Sequence, residues 1–255
     1  EPLIPDNDTN QTSPSSHPFS RRNFLLQAGA AGGALLVAGR VNAQTSRAVP
    51  PSPMTTTSRR GGLLYPQQNQ IRNVFDTSGL WQFQLDPEEK GEAQGWFRAL
   101  PAPRMIPVPC SWNDLFDDAR NYFGLAWYRH EVYVPSAWRG QRVFLRVGSA
   151  NYAAKVWVNG TVVAQHMGGH LPFVADISKQ LVWEQPNVIA IAVENKQLPE
   201  RVPPGSTENG GGVAGVLGGY PATTYDFFPY AGLHRPVVLY SVPAQQHIDD
   251  VTVVT

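Results

Sequence analysis

"AKVWVNGTVVAQH", residues 154–166, decides the fold. Two runs rich in valine flank Asn159-Gly160. Asn-Gly is the strongest short hairpin signal, because both central residues of the favoured turn take positive φ. The stretch therefore predicts two antiparallel strands joined by a two-residue turn. Asn159-Gly160-Thr161 also fits the N-glycosylation pattern, but the turn reading already accounts for it.

Working outward, "LWQFQLD" (80–86) alternates apolar and polar residues with a period of two. "LAWYRHEVYV" (125–134) does so less cleanly and is closed by Pro135. "QRVFLRVGS" (141–149) alternates through Val143, Leu145 and Val147. "NVIAIAVEN" (187–195) is a nearly continuous apolar strand, and "RPVVLYSV" (235–242) supplies another. No long amphipathic helix pattern interrupts them. Short strands at this spacing predict an all-β, antiparallel β-sandwich of jelly-roll type. Composition agrees: 23 Gly and 23 Pro suit many turns, and 42% hydrophobic residues suffice for a core. Lys plus Arg (20) balance Asp plus Glu (20), so charge gives no reason to expect nucleic acid or an anionic membrane as partner. Cys110 is the sole cysteine, which rules out an internal disulfide.

Ahead of this body lies a different kind of sequence. Residues 1–19 are polar and aperiodic and read as a disordered tail. "SRRNFL" (20–25) then resembles the twin-arginine motif. An Ala/Gly/Leu-rich apolar stretch follows to Gly39, with a small-residue exit at Val41-Asn42-Ala43. The stretch is shorter than the roughly 20 apolar residues a bilayer span needs. It predicts an export signal cut after Ala43 in a bacterial periplasmic or secreted protein, with no stable membrane anchor. The domain reading is thus tail and signal over 1–43, a Ser/Thr/Pro-rich linker over 44–62 and the sandwich over 63–245. "HIDDVTVVT" reads as a new strand, so 246–255 is expected to begin a further domain.

Motifs for chemistry are sparse. There is no Gly-x-Ser-x-Gly. Gly210, Gly212 and Gly215 match G-x-G-x-x-G, but without the strand and helix that a dinucleotide site requires. They lie in a Gly/Pro-rich loop spanning 196–224. His166 and His170 are four apart with Gly168 and Gly169 between them, which disfavours a helical metal site. No cofactor or metal is implied. Glu88-Glu89, Asp117-Asp118 and Asp249-Asp250 are adjacent acids that read as solvated turn residues rather than a catalytic pair. Trp96, Trp112 and Trp127 are either core residues or stacking platforms of a stand-alone carbohydrate-binding module. Within "DFFPYAGLHRPVVLY" (226–240), Asp226 on its own reads as a turn cap before an apolar strand.

Three blocks together resemble glycoside hydrolase family 2. "FLRVGSANYAAKVWVNGTVVAQHMGGHLPFVADIS" (144–178) is similar to the core of that family's N-terminal sugar-binding domain. "SGLWQFQLDP" (78–87) resembles its first strand, and "YDFFPYAGLHRPVVLYSVP" with "HIDDVTVVT" resembles its end and the entry to an immunoglobulin-like domain. "LLYPQQNQIRNVFDTSGLW" (63–81) and "DFFPYAGLHRP" (226–236) point to the β-glucuronidase branch, with β-galactosidase or β-mannosidase as alternatives. The resemblance implies a galactose-binding-like sandwich and a retaining glycosidase whose two catalytic glutamates sit in a separate barrel domain. It therefore places no catalytic residue in this chain and predicts that the chain alone is inactive. Glu194-Asn195 reverses the family's Asn-Glu order, so Glu194 reads as structural. The resemblance makes Asp226 a substrate-binding acid, implies a β-glucuronide as carbohydrate partner and allows a homo-oligomer. Pro229 stands where the family usually has Asn, removing a backbone donor there.

Overall fold

The computed structural model describes residues 64–199, 201, 202, 204, 230–248, 251, 253 and 254. The expected tail and export signal over 1–43, the expected linker over 44–62, the Gly210-Gly212-Gly215 pattern, Asp249-Asp250 and Asp226 itself lie outside the described residues.

The strands, in chain order, are β1 (Asn73–Asp76), β2 (Gly79–Asp86), β3 (Arg104–Val108), β4 (Cys110–Ser111), β5 (Leu125–Tyr133), β6 (Arg142–Val147), β7 (Ala153–Val158), β8 (Thr161–Met167), β9 (Phe173–Asp176), β10 (Pro186–Glu194), β11 (Gly232–Leu233) and β12 (Val237–Val242). One sheet runs β1-β12-β6-β9, the other β3-β2-β5-β10-β7-β8, and β11 pairs with β4. Every pairing is antiparallel. A single turn of helix at Trp112–Leu115 is the longest α-helix among the described residues.

The Asn-Gly turn forms as expected, with φ of 49° at Asn159 and 82° at Gly160. Its asparagine does more than turn the chain. Asn159 Nδ2 donates to Gln180 O and to Asn187 Oδ1, both at 2.8 Å, and Asn159 Oδ1 accepts from Val188 N at 2.8 Å. The amide is committed to holding the hairpin tip against the start of β10, which fits the turn reading and not glycan attachment.

Period-two alternation places Trp81 and Phe83 of β2, Val143, Leu145 and Val147 of β6, and Val237 and Leu239 of β12 in one core between the two large sheets. The alternation along β6 is cleaner in sequence than in burial, because Phe144 and Arg146 are buried too. On that outer face Phe144 stacks on Tyr240 at 5.1 Å, and Arg146 lies over the Tyr65 ring.

β10 is buried on both faces. Ile189, Ile191 and Val193 enter the main core, while Ala190 and Ala192 enter a second cluster with Trp96, Leu100, Trp127 and Trp157. Ala192 lies opposite Trp127 on β5, and Ala190 lies opposite Trp157 on β7. The small residues leave room for the indoles, whose centroids are 4.9 Å apart. Phe97 stacks on Trp157 at 5.7 Å, so the segment after β2 roofs this outer face. Trp96, Trp112 and Trp127 are therefore core residues and cannot serve as stacking platforms.

The roof is tied down by one buried carboxylate. Asp86 accepts from Trp127 Nε1 at 2.9 Å, Gly91 N at 2.8 Å and Lys90 N at 2.9 Å. Gly91 has no alternative there, since a Cβ would sit 2.4 Å from Trp127 Nε1. The sheet edges are blunt: β1 and β9 have four residues each, β3 contains Pro107, and β8 carries an irregularity opposite Val156/Trp157.

The strand expected over 248–254 does not appear among the described residues: Ile248, Val251, Val253 and Val254 lie in no strand and are exposed. A lone strand has no ladder to satisfy its backbone and no face to bury.

Replacing Asp86 by Ala strands the Trp127 and Gly91 donors in the interior. The expected cost is about 3 kcal/mol, or a fall in Tm of about 10 °C for a domain of this size. Differential scanning calorimetry of Asp86→Ala reads this directly; a change within about 1 °C would mean that the roof is held by packing alone.

Candidate functional site

Where the chain returns at Tyr230, two buried asparagines meet it. Ala231 N donates to Asn113 Oδ1 at 2.9 Å. Asn151 Nδ2 donates to Tyr230 O at 3.0 Å, and Asn151 N donates to Gly232 O at 3.0 Å. Both asparagines are locked from behind. Asn113 Nδ2 donates to Ala119 O and Arg120 O, each at 3.0 Å, and Asn151 Oδ1 accepts from His170 N at 3.0 Å. Asn113 lies within the helical turn Trp112–Leu115 that follows β4, and Asn151 sits in the β6–β7 connection. Both lie outside the strands and meet the chain where β11 pairs with β4.

Gly232 makes the close approach available. Its φ is 110°, and a Cβ there would lie 2.7 Å from Tyr128 Oη and 2.8 Å from Cys110 O. Burial pushes the Tyr128 phenol far above its ordinary value, so it stays neutral beneath the glycine.

The turn Gly168–His170 meets Val202 directly and reaches Tyr230 through Asn151. Gly169 N donates to Val202 O at 2.7 Å, and His170 holds Asn151 as above. Arg235 Nη1 donates to His170 O at 2.9 Å. The His170 and His234 rings lie 6.2 Å apart, edge to face. Burial first, then the Arg235 charge, pull His170 below the ordinary histidine value. Burial also leads for His234, with His170 and Arg235 adding to it. Both rings are neutral at neutral pH. Next to Val202, Arg201 forms an ion pair with Glu194 and donates to Lys196 O.

Tyr230, Gly232, His234 and Arg235 shape the turn into β12. The approach of Asp226, four residues before Tyr230, lies outside the described residues. Glu194 is engaged by Arg201 and Lys196, the structural role read for it. Glu88, Glu89 and Asp118 form exposed ion pairs with Lys90, Lys196 and Arg104, as expected of turn acids. His166 stacks on Phe173 at 4.4 Å and contacts Gly168 O. Among the described residues no three His, Cys, Asp or Glu side chains group as a metal site needs. The described side chains of this arrangement orient backbone. Sequence reading missed Asn113 and Asn151, since a single asparagine outside the strands carries no periodicity.

Residues 75–243 match the family described as glycosyl hydrolases family 2, sugar binding domain. The β-glucuronidase of Canis lupus familiaris is 44% identical over 212 residues, which is 76% of this chain and 32% of that protein. The β-glucuronidase of Paenibacillus borealis is 40% identical over 198 residues, 76% of this chain and 33% of that protein. A solved Ruminococcus gnavus β-glucuronidase superimposes with a TM-score of 0.64 at 37% identity, covering 71% of this chain and 30% of that one. A Ruminococcus gnavus β-glucuronidase in complex with D-glucuronic acid gives 0.64 at 36% identity, over 71% of this chain and 31% of that one. The chain spans about a third of the length of the relatives it matches. With its antiparallel sandwich and this match over most of its length, the chain belongs to glycosyl hydrolase family 2, through that family's sugar-binding domain.

Proposed function

We propose that this chain is the sugar-binding portion of a β-glucuronidase, a retaining glycosidase acting on terminal β-glucuronides. The observation that carries the reading is 40–44% identity to β-glucuronidases of both mammals and a bacterium over three quarters of the chain. The relatives named here are β-glucuronidases, which favours the uronic acid over the other sugars considered.

In this reading the work is divided. Retention needs two carboxyl groups about 5 Å apart, one as nucleophile and one as acid/base. They belong to a barrel domain beyond this chain. The sandwich contributes one wall of the pocket through Asp226, whose carboxylate accepts hydrogen bonds from sugar hydroxyls. Charge assistance makes such bonds stronger than neutral ones, so one acid suffices to orient a ring. The stand-alone binding module loses its support, because Trp96, Trp112 and Trp127 are buried. The same reading includes export in the folded state through Arg21-Arg22 to the periplasm or medium.

The full protein encoded by the gene is expected to release the aglycone from a chromogenic aryl β-D-glucuronide. The matching β-galactoside and β-mannoside should react at least about 100-fold more slowly in kcat/KM. Residues 63–255 alone should release none. A preference for either neutral sugar overturns the assignment.

Changing both Arg21 and Arg22 to Lys is expected to leave the protein in the cytoplasm of a bacterial host, read by fractionation and immunoblotting. Unchanged export would remove the twin-arginine route.

A further inference from the structure

We propose that the Gly168–His170 turn is an acid-released latch: when His170 and His234 take up protons, the turn lets go of Val202 and Asn151 while the two large sheets stay folded.

The turn holds its neighbours through few contacts. Gly169 N donates to Val202 O at 2.7 Å, and His170 N donates to Asn151 Oδ1 at 3.0 Å. Asn151 passes that hold on to Tyr230 O through Nδ2 and to Gly232 O through its own N–H. His170 has a φ of 66°, which a residue with a side chain adopts only at some cost. Contacts, rather than local backbone preference, therefore keep the turn in place.

Three histidines surround these contacts. His166 reaches the turn from β8. Its Nε2 lies 2.9 Å from Gly168 O, so that nitrogen carries the proton and donates. The His170 and His234 rings meet edge to face, with centroids 6.2 Å apart. Burial holds all three below the ordinary histidine value. The carbonyls of Ala231 and Tyr230 favour the charged form of His234, but burial outweighs them. His234 Nε2 is buried without a hydrogen-bond partner, so a charged ring would point one N–H at no acceptor.

The other groups around the pair give a new positive charge no counterion. Arg235 Nη1 donates to His170 O at 2.9 Å, and its charge disfavours the protonated form of both rings. Arg146 of β6 is close enough to Arg235 for the two cations to repel. Tyr152, in the β6–β7 connection, faces the His170 ring at 6.1 Å. Cys110 of β4 and Tyr128 of β5, beside β11, are kept neutral by burial. Among the described residues no carboxylate acts on either ring. Two added protons would set three positive charges side by side in a half-buried place.

A histidine in an opened turn titrates at about pH 6.5, and the closed turn holds it lower. Between those values the opened form binds more protons, so each step down in pH favours opening. The hold is complete above about pH 6.5 and is lost as the pH falls below it. The ladders of β5, β10 and β7 are backbone bonds, which do not titrate.

Hydrogen exchange of the full protein, read by mass spectrometry on peptides covering 166–172 and 187–194, tests the latch. Corrected for the intrinsic effect of pH on exchange, protection at Gly169 and His170 should fall at least about fivefold from about pH 7.5 to about pH 5.5. Protection in β10 should stay within about twofold. Changing His170→Asn and His234→Gln together removes both proton sites, and asparagine tolerates the positive φ at position 170. In that variant protection at the turn should stay within about twofold over the same range. His130→Gln is the control. His130 is also held low by burial, yet it stacks on Trp81 and pairs with Ile189, five positions along β10 from Glu194. Its loss should leave the fall at the turn undiminished. Should the double variant fail to fold, His170→Asn alone should shrink the fall at least about twofold. Steady protection at the turn of the parent protein, or an undiminished fall in the histidine variants of the turn, would overturn the proposal. So would loss of the effect in His130→Gln, or a parallel fall in β10, which would mean that acid unfolds the whole sandwich.

Discussion

The packing of this domain depends on one strand being usable from both sides. β10 carries branched residues on one face and alanines on the other, so it closes the main core and also leaves slots for two indoles. Were Ala190 or Ala192 larger, Trp127 and Trp157 could not approach each other across the strand, and the segment after β2 would lose the surface it covers. Asp86 completes that layer by satisfying the indole N–H that burial would otherwise leave stranded. The second cluster is thus set by the choice of two methyl groups and one carboxylate.

Rigidity then passes from the sheets to the irregular end of the sandwich. β11 is only two residues long, too short to hold its neighbours by ladder bonds alone. Side-chain amides take over where the ladder stops, and the Gly168–His170 turn ties Asn151, Val202 and Arg235 to one place. Among the described residues, this end of the sandwich offers firmly held backbone.

Much of the fold was legible in the sequence because its signals are local. Asn159-Gly160 reports its own turn, and alternation in 80–86 reports which residues face inward. The nearly continuous apolar run of 187–195 showed that the strand is buried, but not why. The reason, a roof built from Trp96, Phe97 and Leu100, has no repeat or period and emerges only from tertiary packing. Short β1, β4, β9 and β11 carried too few residues to show a period at all. The site was less legible still. Asp226 was singled out by family resemblance, not by physics, while Asn113 and Asn151 act through contacts 118 and 79 residues away in sequence. No spacing rule registers an amide whose partner lies that far along the chain.

The blunt edges of both sheets bear on how such a domain can join others. Backbone N–H and C=O groups are the same in every protein, so a sheet that can be extended at its rim recruits neighbours with little regard to sequence. Proline in β3, the irregularity in β8 and the brevity of β1 and β9 shut that route. What remains for association is side-chain surface, where identity and charge decide. The domain can then be carried into multidomain chains and crowded compartments as a discriminating module, its choice of neighbours written in residues that evolution can change one at a time.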